Sequence, residues 1–137
     1  MKKMTIAAVV LLLRFGLLAY VRLAPSDVAR WHVAGDISKN SEGQNSVRRL
    51  VDAGPDGLAK FAEAALRDPR TEVLAGSAED GLITVITRTR SIGYPDYTTA
   101  WMQDGQLAIY GRSRFGRKDF GVNAARVDRW IGALSAP

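Results

Sequence analysis

Cysteine is absent from this chain, and histidine occurs once, at His32. The first absence excludes disulfides, thiolate metal sites, a cysteine nucleophile and a lipid-modified cysteine. The second excludes a histidine-rich metal centre, because one imidazole has no cysteine to complete its ligand set. His32 also lacks a serine or cysteine motif to serve as general base. The Gly-x-Ser-x-Gly elbow, the phosphate-binding loop and paired metal-ligand spacings are missing as well. Gly116-Arg117-Lys118 does not make a phosphate loop, since the leading glycine and the following Ser or Thr are not there. No cofactor is implied. There is no repeat or low-complexity tract, and no helix-turn-helix, finger or ribonucleoprotein-type motif, which argues against nucleic acid as partner.

What is present is apolar and basic. Hydrophobic residues make up 47% of the 137, enough for a folded domain, and the net charge is +5. Residues 1–30 carry five basic and one acidic side chain, residues 31–85 six and nine, and residues 86–137 eight and four. The basic excess therefore lies at the N-terminus and in the last third. Such a surface invites an anionic lipid headgroup, another anion or an acidic protein.

Lys2 and Lys3 precede an apolar run over residues 4–21. A basic start before an apolar run reads as a membrane anchor or signal-anchor helix, and its length is close to what a span needs. Arg14 sits near the middle, at a cost of about 2.5–3.5 kcal/mol on insertion scales. The Leu, Ile, Val and Phe residues around it offset that cost at about 0.3–0.6 kcal/mol each. Small residues for signal cleavage are not well placed around Ala24 and Pro25, so the helix is expected to stay attached. The lysines hold its start in the cytoplasm. That predicts a single-pass protein of a bacterial inner membrane with its domain on the periplasmic side.

The expected division is an anchor at 1–22, a linker at 23–45 and a domain at 46–137. Pro25, Gly35 and Gly43 break any period in the linker, and Trp31 is expected to pack on the domain. Residues 45–51 read as a short strand. Gly54-Pro55 opens a helix whose apolar face is Leu58, Phe61, Ala62, Ala65 and Leu66. Strands follow at 71–75 and 82–90, the latter with Ile83, Val85 and Thr87 on one side and Ile86, Arg88 and Arg90 on the other. Asn123 is expected to cap the last helix, with Val122 and Val127 at staple spacing. That helix presents Val127, Trp130, Ile131 and Leu134. The order predicts an α+β fold, an antiparallel sheet of about four to five strands with two helices packed on one face.

Asp104-Gly105 predicts a two-residue type I′ hairpin. The register then pairs Gln103 with Gln106 and, moving outward, Trp101 with Ala108, Thr99 with Tyr110, and Tyr97 with Arg112. Because sides alternate along a strand, Ala100, Met102, Leu107, Ile109 and Gly111 face the core. Tyr97, Thr99, Trp101, Tyr110, Arg112 and Arg114 share the opposite, open side. Rings beside guanidinium groups can hold a planar or anionic ligand. The plain alternative is solvated arginines whose stems cover the rings.

Over residues 112–134 the chain resembles domain-of-unknown-function family 1499, whose segment runs close to S-R-x-G-x-x-D-x-G-x-N-x-x-R-V. Here those residues are Ser113, Arg114, Gly116, Asp119, Gly121, Asn123, Arg126 and Val127. Residues 87–97 and the leader at 22–32 are similar to other family segments, so the resemblance covers about residues 22–134. It implies a small envelope or thylakoid-type domain and supplies no catalytic residues. Chemistry gives the motif a structural reading: Gly116 and Gly121 permit a tight loop, and Asp119 can bond loop amides or Arg114 and Arg117.

Two functions fit. One is a membrane-anchored, non-enzymatic binding module using Arg88, Arg90, Tyr97, Tyr110, Arg112 and Arg114 on an anionic partner. The alternative is a small hydrolase or isomerase using Asp96, Asp119 or His32 with arginine clamps. A structural subunit docked through its anchor is a third possibility.

Overall fold

Asp104 and Gly105 both adopt positive φ, 50° and 81°, as a type I′ turn requires. The strands on either side, β5 (Pro95–Gln103) and β6 (Gln106–Ser113), pair in the register counted from that turn, from Gln103 with Gln106 out to Tyr97 with Arg112. The computed structural model describes residues 2–135. Residue 1 and residues 136–137, the outer limits of the expected anchor and domain, lie outside them.

Four further strands extend the hairpin: β1 (Ser41–Glu42), β2 (Ser46–Val51), β3 (Thr71–Ser77) and β4 (Leu82–Arg88). The sheet is antiparallel in the order β1-β2-β6-β5-β4-β3. Six strands, rather than the four or five expected, arise because Ser41 and Glu42 pair with the outer edge of β2. Arg49 ties that edge down by ion pairs to Glu42 at 2.7 Å and Asp128 at 2.8 Å. Strand β4 ends at Arg88, so Arg90 belongs to the following loop.

Helix α3 (Gly57–Arg67) starts two residues after Pro55, and Leu58, Phe61, Ala62 and Ala65 form its buried stripe. Leu66, expected on that stripe, is 43% exposed because it lies at its margin. The last helix, numbered α4 here (Val122–Gly132), buries Val127 and Trp130. These side chains join Val47, Ile83, Val85, Ala100, Leu107 and Ile109 in one core. Phe61 meets Trp130 edge-on at 5.8 Å. Asp68, at the end of α3, accepts from Trp130 Nε1 at 3.0 Å and so links the helices.

The opposite side of the hairpin is not open. Residues 24–40, expected as an irregular linker, lie across it and include a short helix, α2 (Val28–Trp31). Trp31 stacks on Tyr97 with centroids 4.2 Å apart and planes within 14°. Ile37 packs on Trp101 and Ala108, and Gln103 Nε2 donates to the Ile37 carbonyl at 2.8 Å. Burying two aromatic rings and an isoleucine favours this cover over a solvated face. Arg112 is consequently buried. Its guanidinium donates to the Trp31 carbonyl, the Tyr110 carbonyl and Thr99 Oγ1. Thr99 in turn donates to the Trp31 carbonyl at 3.1 Å. Its one proton is then used, so Thr84 donates to Thr99 and His32 donates to Thr84 through Nδ1.

The N-terminal helix, α1 (Lys2–Leu23), contains a 19-residue stretch, Thr5–Leu23, of mean hydropathy 2.1. It is long and apolar enough to cross a membrane. Among the described residues Arg14 forms no ion pair. The C-terminal turn of α1 rests on the domain: Val21 is buried, Arg22 Nε donates to the Ile92 carbonyl at 2.9 Å, and Tyr20 meets Phe115 edge-on at 6.1 Å.

The cover makes a measurable prediction. Trp31→Ala is expected to destabilise the chain by about 3–5 kcal/mol. Arg112→Ala is expected to cost about 1.5–3 kcal/mol from its charge-assisted bonds. Both act through the same segment, so urea unfolding of the double variant should show a loss smaller than the sum.

Candidate functional site

Two cavities flank the foot of α1. The first, of about 440 Å³, is lined by Arg22, Arg70, Arg88 and Arg90 with Thr71, Glu72, Thr89 and Gly93. Three elements bring the arginines together. Arg22 lies in the last turn of α1. Arg70 precedes β3, where its carbonyl accepts from the Arg88 N–H at 3.0 Å. Arg88 ends β4 and donates from Nη1 to the Gly93 carbonyl at 3.2 Å, closing the loop that carries Arg90. Arg70 Nε adds a bond to the Arg88 carbonyl at 3.0 Å. None of the four forms an ion pair among the described residues, and Glu72 is the single carboxylate in the lining. A guanidinium group without a carboxylate partner is able to donate paired bonds to a phosphate or carboxylate.

The second cavity, of about 330 Å³, has Leu17 and Val21 of α1 on one side with Tyr94, Phe115 and Val122, and polar groups from Asp96, Ser113 and Asp119. Those polar groups belong to a network built on the motif. Asp119 accepts from the Gly121 N–H at 2.9 Å, the Asn123 N–H at 3.0 Å and Asn123 Nδ2 at 2.8 Å. It is thus the side chain that caps α4. Asn123, expected as the cap, lies one residue inside the helix and is fully buried, where its Nδ2 also donates to Ser113 Oγ at 2.9 Å. The reason is backbone geometry: Gly121 at φ 80° takes the boundary position, and Gly116 at φ 89° turns the loop so that Asp119 points back at the helix start. Val122, expected before the cap, is instead the first residue of the helix and is 46% exposed.

Below the network lies a buried ion pair, Asp96 with Arg126 at 3.0 Å, whose side chains are 4% and 8% exposed. Burial pushes the Asp96 carboxyl above its ordinary value, while Arg126 and the Ser113 hydroxyl pull it back. Asp119 bonds loop amides and forms no ion pair with Arg114 or Arg117 among the described residues.

The six side chains singled out from sequence do not converge. Arg88 and Arg90 enter the arginine cavity. Tyr97 is fully buried under Trp31, and its hydroxyl bonds Ser26 Oγ at 2.6 Å. Arg114 Nη1 donates to the Pro25 carbonyl at 3.0 Å and to the Tyr97 hydroxyl at 3.3 Å. Tyr110 lies between two cations, Arg48 at 4.3 Å and Arg112 at 4.6 Å. Burial pushes the Arg112 guanidinium down to about 10, so it remains charged at neutral pH. Arg22 and Arg70 are the cavity residues that sequence reasoning missed. Arg22 read only as a charge flanking the anchor. Arg70 reaches Arg88 through a bulge at Leu74, where the β3–β4 register shifts.

Breaking the buried pair should be costly in one way only. Asp96→Asn leaves Arg126 unpaired and is expected to lose about 3–5 kcal/mol, whereas Asp96→Leu with Arg126→Met should regain most of it. Because the folded-state value of Asp96 is raised above 3.8, the unfolded chain releases this proton first as pH rises. Its contribution to stability therefore falls through that window. Denaturant titrations across mildly acid pH should show the decline in wild type and not in the double variant.

No curated protein matches the chain at a significant level. Residues 33–134, more than half of the chain, match the family described as Protein of unknown function (DUF1499). The leader similarity at 22–32 falls outside that match. The matched region contains Ser113, Arg114, Gly116, Asp119, Gly121, Asn123, Arg126 and Val127, each with the placement described above, and the chain belongs to domain-of-unknown-function family 1499.

Proposed function

We propose that this protein is a membrane-anchored, non-enzymatic binding module that takes an anionic group of the phosphate class. Four guanidinium groups, Arg22, Arg70, Arg88 and Arg90, surround one cavity of about 440 Å³ without an ion pair among them, at the foot of an apolar helix. That observation carries the reading. In it α1 is an uncleaved anchor in the inner membrane of a bacterium, α3 and α4 form the layer on one sheet face, and the domain at 46–137 lies on the periplasmic side. The anion site then stands at the membrane surface, where unpaired arginines meet phosphate at closest range.

The hydrolase or isomerase alternative is served less well by the same geometry. His32 donates its Nδ1 proton to Thr84, Asp96 is paired with Arg126, and Asp119 is occupied by the first amides of α4.

Binding of inorganic phosphate and pyrophosphate to the full chain in nanodiscs of phosphate-free glycolipid tests the reading. Arg70→Gln and Arg90→Gln should each weaken binding about tenfold or more. Arg67→Gln, whose side chain pairs with Glu63, should not. Affinity should fall as salt rises. Equal affinity in all four proteins would sink the assignment. A C-terminal reporter active only outside the cytoplasm should be active if the orientation is right.

A further inference from the structure

We propose that the anion is the phosphate of a membrane phospholipid and that its chain enters the second cavity, beside Leu17 and Val21. This rests on the binding reading above. The two cavities adjoin: Thr89 lines both, and consecutive residues of α1 serve each, Val21 the apolar one and Arg22 the basic one.

Depth along α1 distinguishes them. Thr5–Leu23 has 19 residues. At about 1.5 Å per residue this roughly matches a hydrocarbon core of about 30 Å. With the helix spanning, Arg22 reaches the headgroup level and Leu17 lies about 7 Å deeper, among acyl chains. The basic cavity then sits where phosphates are, and the apolar cavity where chains are.

The chemistry of the second cavity agrees. Its two carboxylates are engaged within the protein: Asp96 by Arg126 and Ser113, Asp119 by three N–H donors. What they leave for a ligand is the apolar wall of Leu17, Val21, Tyr94, Phe115 and Val122, with Thr89 and Lys118 as the remaining polar side chains of the lining. The loop that supplies Asp119 to the cavity also exposes apolar surface. Phe120 is 90% exposed and lies between Asp119 and the lining residue Val122, which is 46% exposed. An aromatic side chain held out of a loop beside an apolar helix suits a bilayer interface.

A series of monoalkyl phosphates tests the proposal, with the full chain in phosphate-free glycolipid nanodiscs. Inorganic, butyl, hexyl and octyl phosphate are compared, each affinity referred to the free aqueous concentration. Chain burial is expected to strengthen binding about fourfold per methylene. Val122→Trp fills the cavity from a half-exposed position. It should bind inorganic phosphate as wild type does and lose the dependence on chain length. Phosphate binding is thus its own check that the variant is folded, and the wild-type series stands without it. If phosphate binds but affinity is flat along the series, or the variant rises in parallel with wild type, the lipid assignment is overturned and the anion reading stands. If wild type binds no phosphate or phosphate ester, both are overturned.

Discussion

Arg112 is a buried cation without a carboxylate partner among the described residues, and the arrangement of the molecule depends on how that charge is satisfied. Its donors go to the carbonyls of Trp31 and Tyr110 and the hydroxyl of Thr99, while the rings of Trp31 and Tyr110 lie at 5.4 and 4.6 Å. A guanidinium so placed is an expensive group to leave half-bonded. One of its acceptors belongs to the leader, so the domain is complete only with the leader in place. Without residues 24–40 the face carrying Tyr97, Trp101 and Arg112 would be bare.

The family motif performs a second, separate task. Asp119 starts α4, Asn123 joins the helix to the end of β6 through Ser113, and Arg126 closes on Asp96 at the start of β5. The network also supplies part of the polar lining of the cavity beneath α1, through Asp96, Ser113 and Asp119. One set of residues therefore holds the last helix on the sheet and shapes the surface next to the apolar helix. Arg114 extends the set to the leader through the carbonyls of Ala24 and Pro25.

Local rules made much of this visible from sequence. The Asp-Gly turn gave the hairpin register residue by residue, because only positive φ at both positions closes a two-residue loop. The stripes of Phe61 and Trp130 followed from helical spacing. Three features escaped for physical reasons. A two-residue edge strand, Ser41–Glu42, is too short to carry a period. The packing of Trp31 on the domain was legible, but the face it covers depends on long-range contacts that irregular backbone does not announce, so Arg112 read as exposed. Arg70 lies across from Arg88 because one extra residue, Leu74, is inserted into β3; an unbulged ladder would have set Thr71 there instead. Leu74 itself packs against Trp31, Ile86 and Tyr97, so the bulge also serves the cover.

The docking of the helix foot has a mechanical consequence. Arg22 bonded to the Ile92 carbonyl, Tyr20 on Phe115, and a leader fastened from Ala24 to Ile37 leave no slack between the apolar helix and the sheet. A flexible tether of similar length would let a domain wander over a reach that grows with the square root of its residues. Here the connection is a bracket rather than a leash. In a bilayer, the tilt of one helix would set the height and bearing of the whole domain, and the domain could sample only what passes directly beside its own stem.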